Sequence, residues 1–115
     1  MDPANSLRKN WLSFIDHHVQ QLPERPAAYM LADSAGTILY IGHTQNLKKE
    51  LTEHKQGRSE LVCVHGRARH FVFMLTDTPR ELWEKTLQWH ERRFGSLPEC
   101  NRQGSTTAPS MIDGL

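Results

Sequence analysis

Residues 28–54, AYMLADSAGTILYIGHTQNLKKELTEH, decide the fold. Two apolar runs, Tyr29 to Leu31 and Ile38 to Ile41, flank a polar Asp-Ser-Ala-Gly break. β-branched and aromatic residues bounded by turn formers are the signature of a β-hairpin. Asp33 and Ser34 can bond their own backbone and Gly36 tolerates positive φ, so a bulged or three-to-five-residue turn is expected. After Ile41 the period changes. Gly42 is expected to break the strand, Thr44 or Asn46 to cap a helix, and Leu47, Leu51 and His54 then recur at helical spacing.

Outward from this stretch, residues 6–20 read as an N-terminal helix. Leu7, Trp11, Leu12, Ile15 and Val19 form its apolar side, and Asn5 or Ser6 its cap. Its apolar side packs on the sheet, or Trp11 and Phe14 offer a surface to a protein partner. Pro23 and Pro26 end the helix and lead into the first strand. His17 and His18, about 100° apart on a helix, cannot share one ion well and read as surface residues. Residues 59–65, SELVCVH, fit either a short helix or an edge strand. Residues 69–76, RHFVFMLT, are the clearest strand, and the unbroken apolar run from Phe71 to Leu75 marks a strand covered on both faces. Thr78-Pro79-Arg80-Glu81 opens the next helix as a Thr cap with Pro at its first position. Leu82, Trp83, Thr86, Leu87, His90 and Phe94 make its apolar side, and Gly95 ends it. From Arg102 onward the Ser/Thr/Gly/Pro-rich composition is that of a flexible tail.

The order is helix, hairpin, helix, strand, helix. It specifies an α+β fold, a small three-stranded and mainly antiparallel sheet flanked by helices. A length of 115 residues allows one domain with a modest core. No apolar run is long enough to cross a membrane, and the opening MDPANSLRKN is not a signal peptide. Two cysteines, Cys63 and Cys100, do not make a disulfide framework. Reduced thiols and a cytoplasmic location are therefore expected. Cys63, His65, His70 and Cys100 match no usual zinc spacing, and Cys63 reads as a small core residue. The net charge of +1 exerts little long-range pull on a polyanion. The segment from His43 to His70 nevertheless carries six Lys or Arg against three Glu, an excess of three positive charges. Lys48, Lys49, Lys55 and Arg58 are its candidate phosphate contacts.

Tyr40-Ile41-Gly42, followed by Thr44, Asn46-Leu47 and Lys48-Lys49, resembles the second half of the GIY-YIG endonuclease signature. The first half is Ala27-Ala28-Tyr29, with alanines in place of the family's glycine and isoleucine. Pro98-Glu99-Cys100-Asn101 is similar to the P-x-[YC]-N that closes many such domains. The family includes the N-terminal nuclease domain of the excinuclease C subunit and stand-alone proteins. The resemblance implies a domain over residues 26–101, preceded by a helical extension at 1–25 and followed by the tail at 102–115. It also implies phosphodiester hydrolysis with a divalent ion, Mg²⁺ or Mn²⁺, held by a glutamate. Tyrosines would position or activate water, and an arginine would grip the phosphate.

Tyr29, Tyr40 and His54 match family positions and form the expected pocket. The two electrostatic partners do not match. The family arginine lies ten positions after the second tyrosine, which is Glu50 here. The family glutamate aligns with Gln88, in Leu87-Gln88-Trp89. Replacing a cation by an anion at about 4 Å and an effective dielectric of about 20 is a swing of roughly 8 kcal/mol, an upper figure. An amide oxygen is also a poorer ligand than a carboxylate for a hard ion. The chain is therefore expected to be a degenerate member with little or no nuclease activity, acting as a nucleic-acid-binding or interaction module. Two alternatives remain, a protein-interaction domain and an active metal-dependent nuclease with a rearranged site. In the latter, Glu50 holds metal with Glu84 or Glu91, or Lys48 or Lys49 replaces the arginine.

Overall fold

The computed structural model describes residues 11–57 and 61–104. The fold is α+β. Strands β1 (Leu12–Ser13), β2 (Ala27–Ala32), β3 (Ile38–Thr44) and β4 (His70–Leu75) form one sheet in the order β1-β4-β2-β3. Every pairing is antiparallel. Helices α1 (Asp16–Gln20), α2 (Leu47–Gln56), α3 (Pro79–Phe94) and α4 (Glu99–Gly104) accompany the sheet, and a 3₁₀ turn spans Val62–Val64.

Strand β2 is buried along its whole length. Alternation along the strand sends Tyr29 and Leu31 to one face and Met30 to the other. The first face meets Leu39, Leu47, Leu51, Phe14, Val19 and Phe71. The second meets Ile38, Ile41, Val72 and, from α3, Trp83 and Leu87. The sheet thus divides two apolar layers, one shared with α1 and α2 and the other with α3.

The hairpin forms as its residues dictate. Asp33 Oδ1 accepts the backbone N–H groups of Ala35 and Thr37, both at 2.9 Å, and Gly36 sits at φ 87°. The register shifts between Leu31 and Ala32, which supplies the bulge. Asn46 caps α2, its side chain accepting from Lys49 N, and Gly57 ends the helix in the left-handed region.

Several expectations are corrected. The sheet has four strands, because Leu12 and Ser13 pair with Phe71 and His70 instead of continuing a helix. Among the described residues of the expected N-terminal helix only Asp16–Gln20 is helical, and the first ten residues lie outside the described ones. Pairing with the open edge of β4 satisfies backbone groups that an isolated amphipathic turn would leave to water. Phe14 is buried against Phe71 and presents nothing to a partner. Gly42 does not end β3, which continues to Thr44. Thr78 makes no side-chain cap; its own N–H donates to Thr76 Oγ1.

Cys63 and Cys100 are joined in a disulfide, against the expectation of free thiols. The bond ties the 3₁₀ turn to α4, and a bidentate ion pair from Arg67 to Glu99 crosses the same junction at 2.9 and 3.2 Å. Residues 102–104, assigned from composition to the tail, complete α4. The remainder of the tail, with Arg58, lies outside the described residues. Among the described residues no helix is long and apolar enough to cross a membrane.

Candidate active site

Tyr29, Tyr40 and His54 do come together, on the α2 side of the sheet. The three rings are mutually 5.9 to 6.1 Å apart between centroids. Gly42 makes this possible. It pairs with Tyr29 across the hairpin, and a Cβ at this position would fall 2.5 Å from the Tyr29 ring and hydroxyl and 2.7 Å from Tyr40. The Tyr29 ring therefore lies directly over the glycine backbone, reaching across β3 toward α2.

There it meets Glu50 and His54, one helical turn apart. The Tyr29 hydroxyl donates to Glu50 Oε2 at 2.8 Å and lies 2.8 Å from His54 Nε2. A phenol has one proton. With that proton given to Glu50, His54 Nε2 must carry its own N–H and donate to the phenol oxygen. Nε2 also lies 3.5 Å from Glu50 Oε2. The three side chains form one hydrogen-bonded cluster, with His54 buried and the Glu50 side chain 31% exposed.

The charges follow from that network. Burial pushes the Glu50 carboxyl upward, but hydrogen bonds from His54 and Tyr29 outweigh it and hold the group below its ordinary value. Burial and the Tyr40 and Glu50 charges drive the Tyr29 phenol well above its usual range. Burial and Glu50 push Tyr40 to about 12. Burial first, and the Glu50 carboxylate after it, raise both phenols above their ordinary value, where a guanidinium at position 50 would have pulled them down.

The free edge of β3 is closed by side chains. Asn101 Oδ1 accepts from Ile41 N at 2.8 Å, and Asn101 Nδ2 donates to Ile41 O at 2.9 Å. Trp83 Nε1 donates to the same carbonyl at 2.9 Å, and its ring lies 4.7 Å from His43. Asn101 was visible in the sequence as the end of a motif, but its role was not. An amide matching one residue's backbone N–H and C=O is the signal that only the fold exposes. Burial, the main cause, and Arg80 lower the His43 pKa, against opposing pulls from Glu50 and Glu84.

The remaining expected residues lie elsewhere. Gln88 is exposed on α3, five residues from Trp83 and so about 140° around the helix from it. Glu84 pairs with Arg80 at 3.8 Å. Lys48 and Lys55 share a face of α2, and Glu50 projects about 160° away from Lys48. Lys48 and Lys49 line a cavity of about 450 Å³ with Glu24, Asn46, Thr52 and Glu53. Lys55 lies over the Phe14 ring at 5.6 Å. Neither Lys48 nor Lys55 extends toward the phenols. Glu50 is already bonded to Tyr29, and no three acidic, His or Cys side chains gather as an ion site among the described residues. The donor set does not fit a divalent ion. Disulfide bonding also removes Cys63 and Cys100 as thiolate ligands.

Residues 5–92 match the family model described as Domain of unknown function (DUF7508). The chain is 32% identical over 82 residues to UvrABC system protein C of Trichlorobacter lovleyi, covering 66% of this chain and 14% of that protein. It is 33% identical over 110 residues to UvrABC system protein C of Rhizobium meliloti, covering 84% and 16%. A further protein of that name, from Bartonella henselae, is 34% identical over 70 residues, covering 58% and 11%. The chain thus spans only about one seventh of the length of these relatives.

Proposed function

The chain belongs to the family described as Domain of unknown function (DUF7508), and from that premise we propose that it is a degenerate GIY-YIG-like domain that binds nucleic acid without cutting it. One observation carries the reading. The acid at position 50, where the resembled family has its phosphate-gripping arginine, is held ionised by Tyr29 and His54. An anion there opposes a phosphodiester, and it adds to the burial that raises both phenols, so neither tyrosine is poised to take a proton from water near neutral pH. Losing a preorganised positive partner at a reacting phosphate commonly lowers rate by about a hundredfold or more. Nucleic acid as ligand is supported by the GIY-YIG resemblance and by relatives named UvrABC system protein C.

The test has two arms. Incubation of supercoiled and branched DNA with the chain in Mg²⁺ or Mn²⁺ is expected to give no nicking above background. Cleavage that disappears in Tyr40→Phe would overturn the reading. Titration of labelled DNA at rising salt is expected to give binding that weakens steeply with ionic strength. No binding at low salt would remove nucleic acid as the ligand and leave a protein-interaction role.

A further inference from the structure

A second concave region lies on the other face of the sheet. The β2–β3 turn, the C-terminal end of α3 and the start of α4 enclose a cavity of about 510 Å³, lined by Trp11, Ile38, His90, Phe94, Leu97 and Arg102 among others. This is the size of a small-ligand site, and its lining mixes aromatic and aliphatic side chains with polar and charged ones.

Two features of it are unexplained by folding. Phe94 is 53% exposed although it ends the apolar side of α3. Its ring lies 4.6 Å from His90 and 5.9 Å from Trp89, with the Arg93 guanidinium over it at 5.7 Å. An exposed aromatic ring at a cavity mouth offers a surface on which a flat ligand can stack. His90 is only 7% exposed. Its Nδ1 lies 2.7 Å from the Ser96 carbonyl, which only accepts, so Nδ1 carries the proton. Burial and the Arg102 charge lower its pKa despite the Ser96 bond, so the ring is neutral and Nε2 is a bare acceptor. Among the described residues Nε2 has no hydrogen-bond partner. A buried acceptor left unpaired is costly, and a ligand N–H would relieve it. Charge completes the picture. The cavity's Glu99 is bound to Arg67, while Arg102 remains as a cation beside His90.

We propose that this cleft takes up one unpaired nucleobase of a single-stranded nucleic acid, stacked on Phe94, with a base N–H donated to His90 Nε2 and the adjoining phosphate met by Arg102. Every base offers a π-face and an N–H on its pairing edge, so recognition is sequence-tolerant. A base inside a duplex offers neither. The inference rests on the reading of this chain as a nucleic-acid-binding domain and gives that ligand its form, a single strand or an unpaired position. It also moves the principal contact away from the α2 lysines.

The experiment is fluorescence anisotropy with the full chain, using a labelled single-stranded oligonucleotide and the blunt duplex of the same sequence. The parent is expected to bind the single strand more tightly. Phe94→Ala should weaken single-strand binding about tenfold, the size of one lost base stack, and leave duplex binding unchanged. Arg102→Ala should weaken it a few-fold and flatten its salt dependence. Both side chains are exposed, so both variants should melt like the parent. Single-strand binding unaltered by Phe94→Ala, or duplex bound as tightly as single strand, overturns the inference while the proposed function stands. Failure of the parent to bind either form overturns both.

Discussion

The two faces of the sheet carry polar groups of opposite character. On the α2 face, Tyr29, Glu50 and His54 bond to one another through the Tyr29 hydroxyl, Glu50 Oε2 and His54 Nε2. On the α3 face, His90 spends one nitrogen on Ser96 and keeps the other for something outside the chain. A bonded polar cluster makes a good girder and a poor receptor, because any ligand must first break its bonds. An open acceptor beside a half-exposed ring is the reverse. The arrangement that resembles a catalytic pocket is thus the part least prepared to receive a phosphate.

Removing the link that both faces share should disturb both at once. Cys100 sits in α4, beside the Asn101 that clamps β3 and the Arg102 that borders the cleft. Replacing both cysteines by serine should destabilise the chain by about 3 kcal/mol, read as a lower urea midpoint. Hydrogen exchange at the Ile41 amide should accelerate along with it. Slow exchange in that double variant would show that the Arg67–Glu99 pair and the Asn101 bonds suffice to dock α4.

Gly42→Ala attacks only the phenol side. A methyl 2.5 Å from the Tyr29 ring must push that ring off β3, with backbone on one side and a buried core on the other. A loss of about 2 to 3 kcal/mol is expected in chemical denaturation. Tyr29→Phe is milder. It leaves the ring packed but removes the hydroxyl that joins Glu50 to His54, a loss of about 1 to 2 kcal/mol on the same measurement.

Acidification separates the faces by the pH at which each loses stability. The folded carboxyl of Glu50 ionises below its unfolded value, so its stabilisation is complete above the ordinary carboxyl range and disappears as pH falls through it. A Glu50→Gln chain should therefore lose less stability between pH 6 and pH 3 than the parent, by urea midpoints at each pH. His90, held neutral, acts in the same direction but earlier. Its unfolded form takes up a proton as pH falls through about 6.5, and the folded form resists. At the alkaline end, the parent should weaken above pH 10 as the unfolded Tyr40 ionises and the folded one, at about 12, does not.

The hairpin, the Asn46 cap and the long third helix were legible because each is a local matter of period and turn chemistry. The pairing of Leu12 and Ser13 with β4 was not, since it spans nearly sixty residues and its two-residue strand has no period to read. The disulfide was hidden for the same reason. Composition argued from the number of cysteines, whereas the bond depends on two segments meeting across the fold. Within the site, the sequence identified Tyr29, Tyr40, Glu50 and His54. It did not reveal that Glu50 bonds Tyr29. The His90 cleft was invisible because each of its residues has an ordinary reading alone: an apolar helix face, a helix end, a tail.

The smallest expected effect sharpens the contrast furthest. Phe94→Ala should shift stability by less than about 0.5 kcal/mol, because the ring is half exposed and little apolar area leaves the core. Ile38→Ala, on the same face but buried in the α3 layer, should cost about 2 kcal/mol or more. A Phe94→Ala variant as damaged as Ile38→Ala would mean that the ring is a structural brace, and the cleft a by-product of how α3 ends. A thermally silent variant would mean that the fold does not need this side chain. An exposed aromatic that contributes nothing to stability still favours association with water-averse surfaces, and a built cavity beside it gives that association a defined geometry.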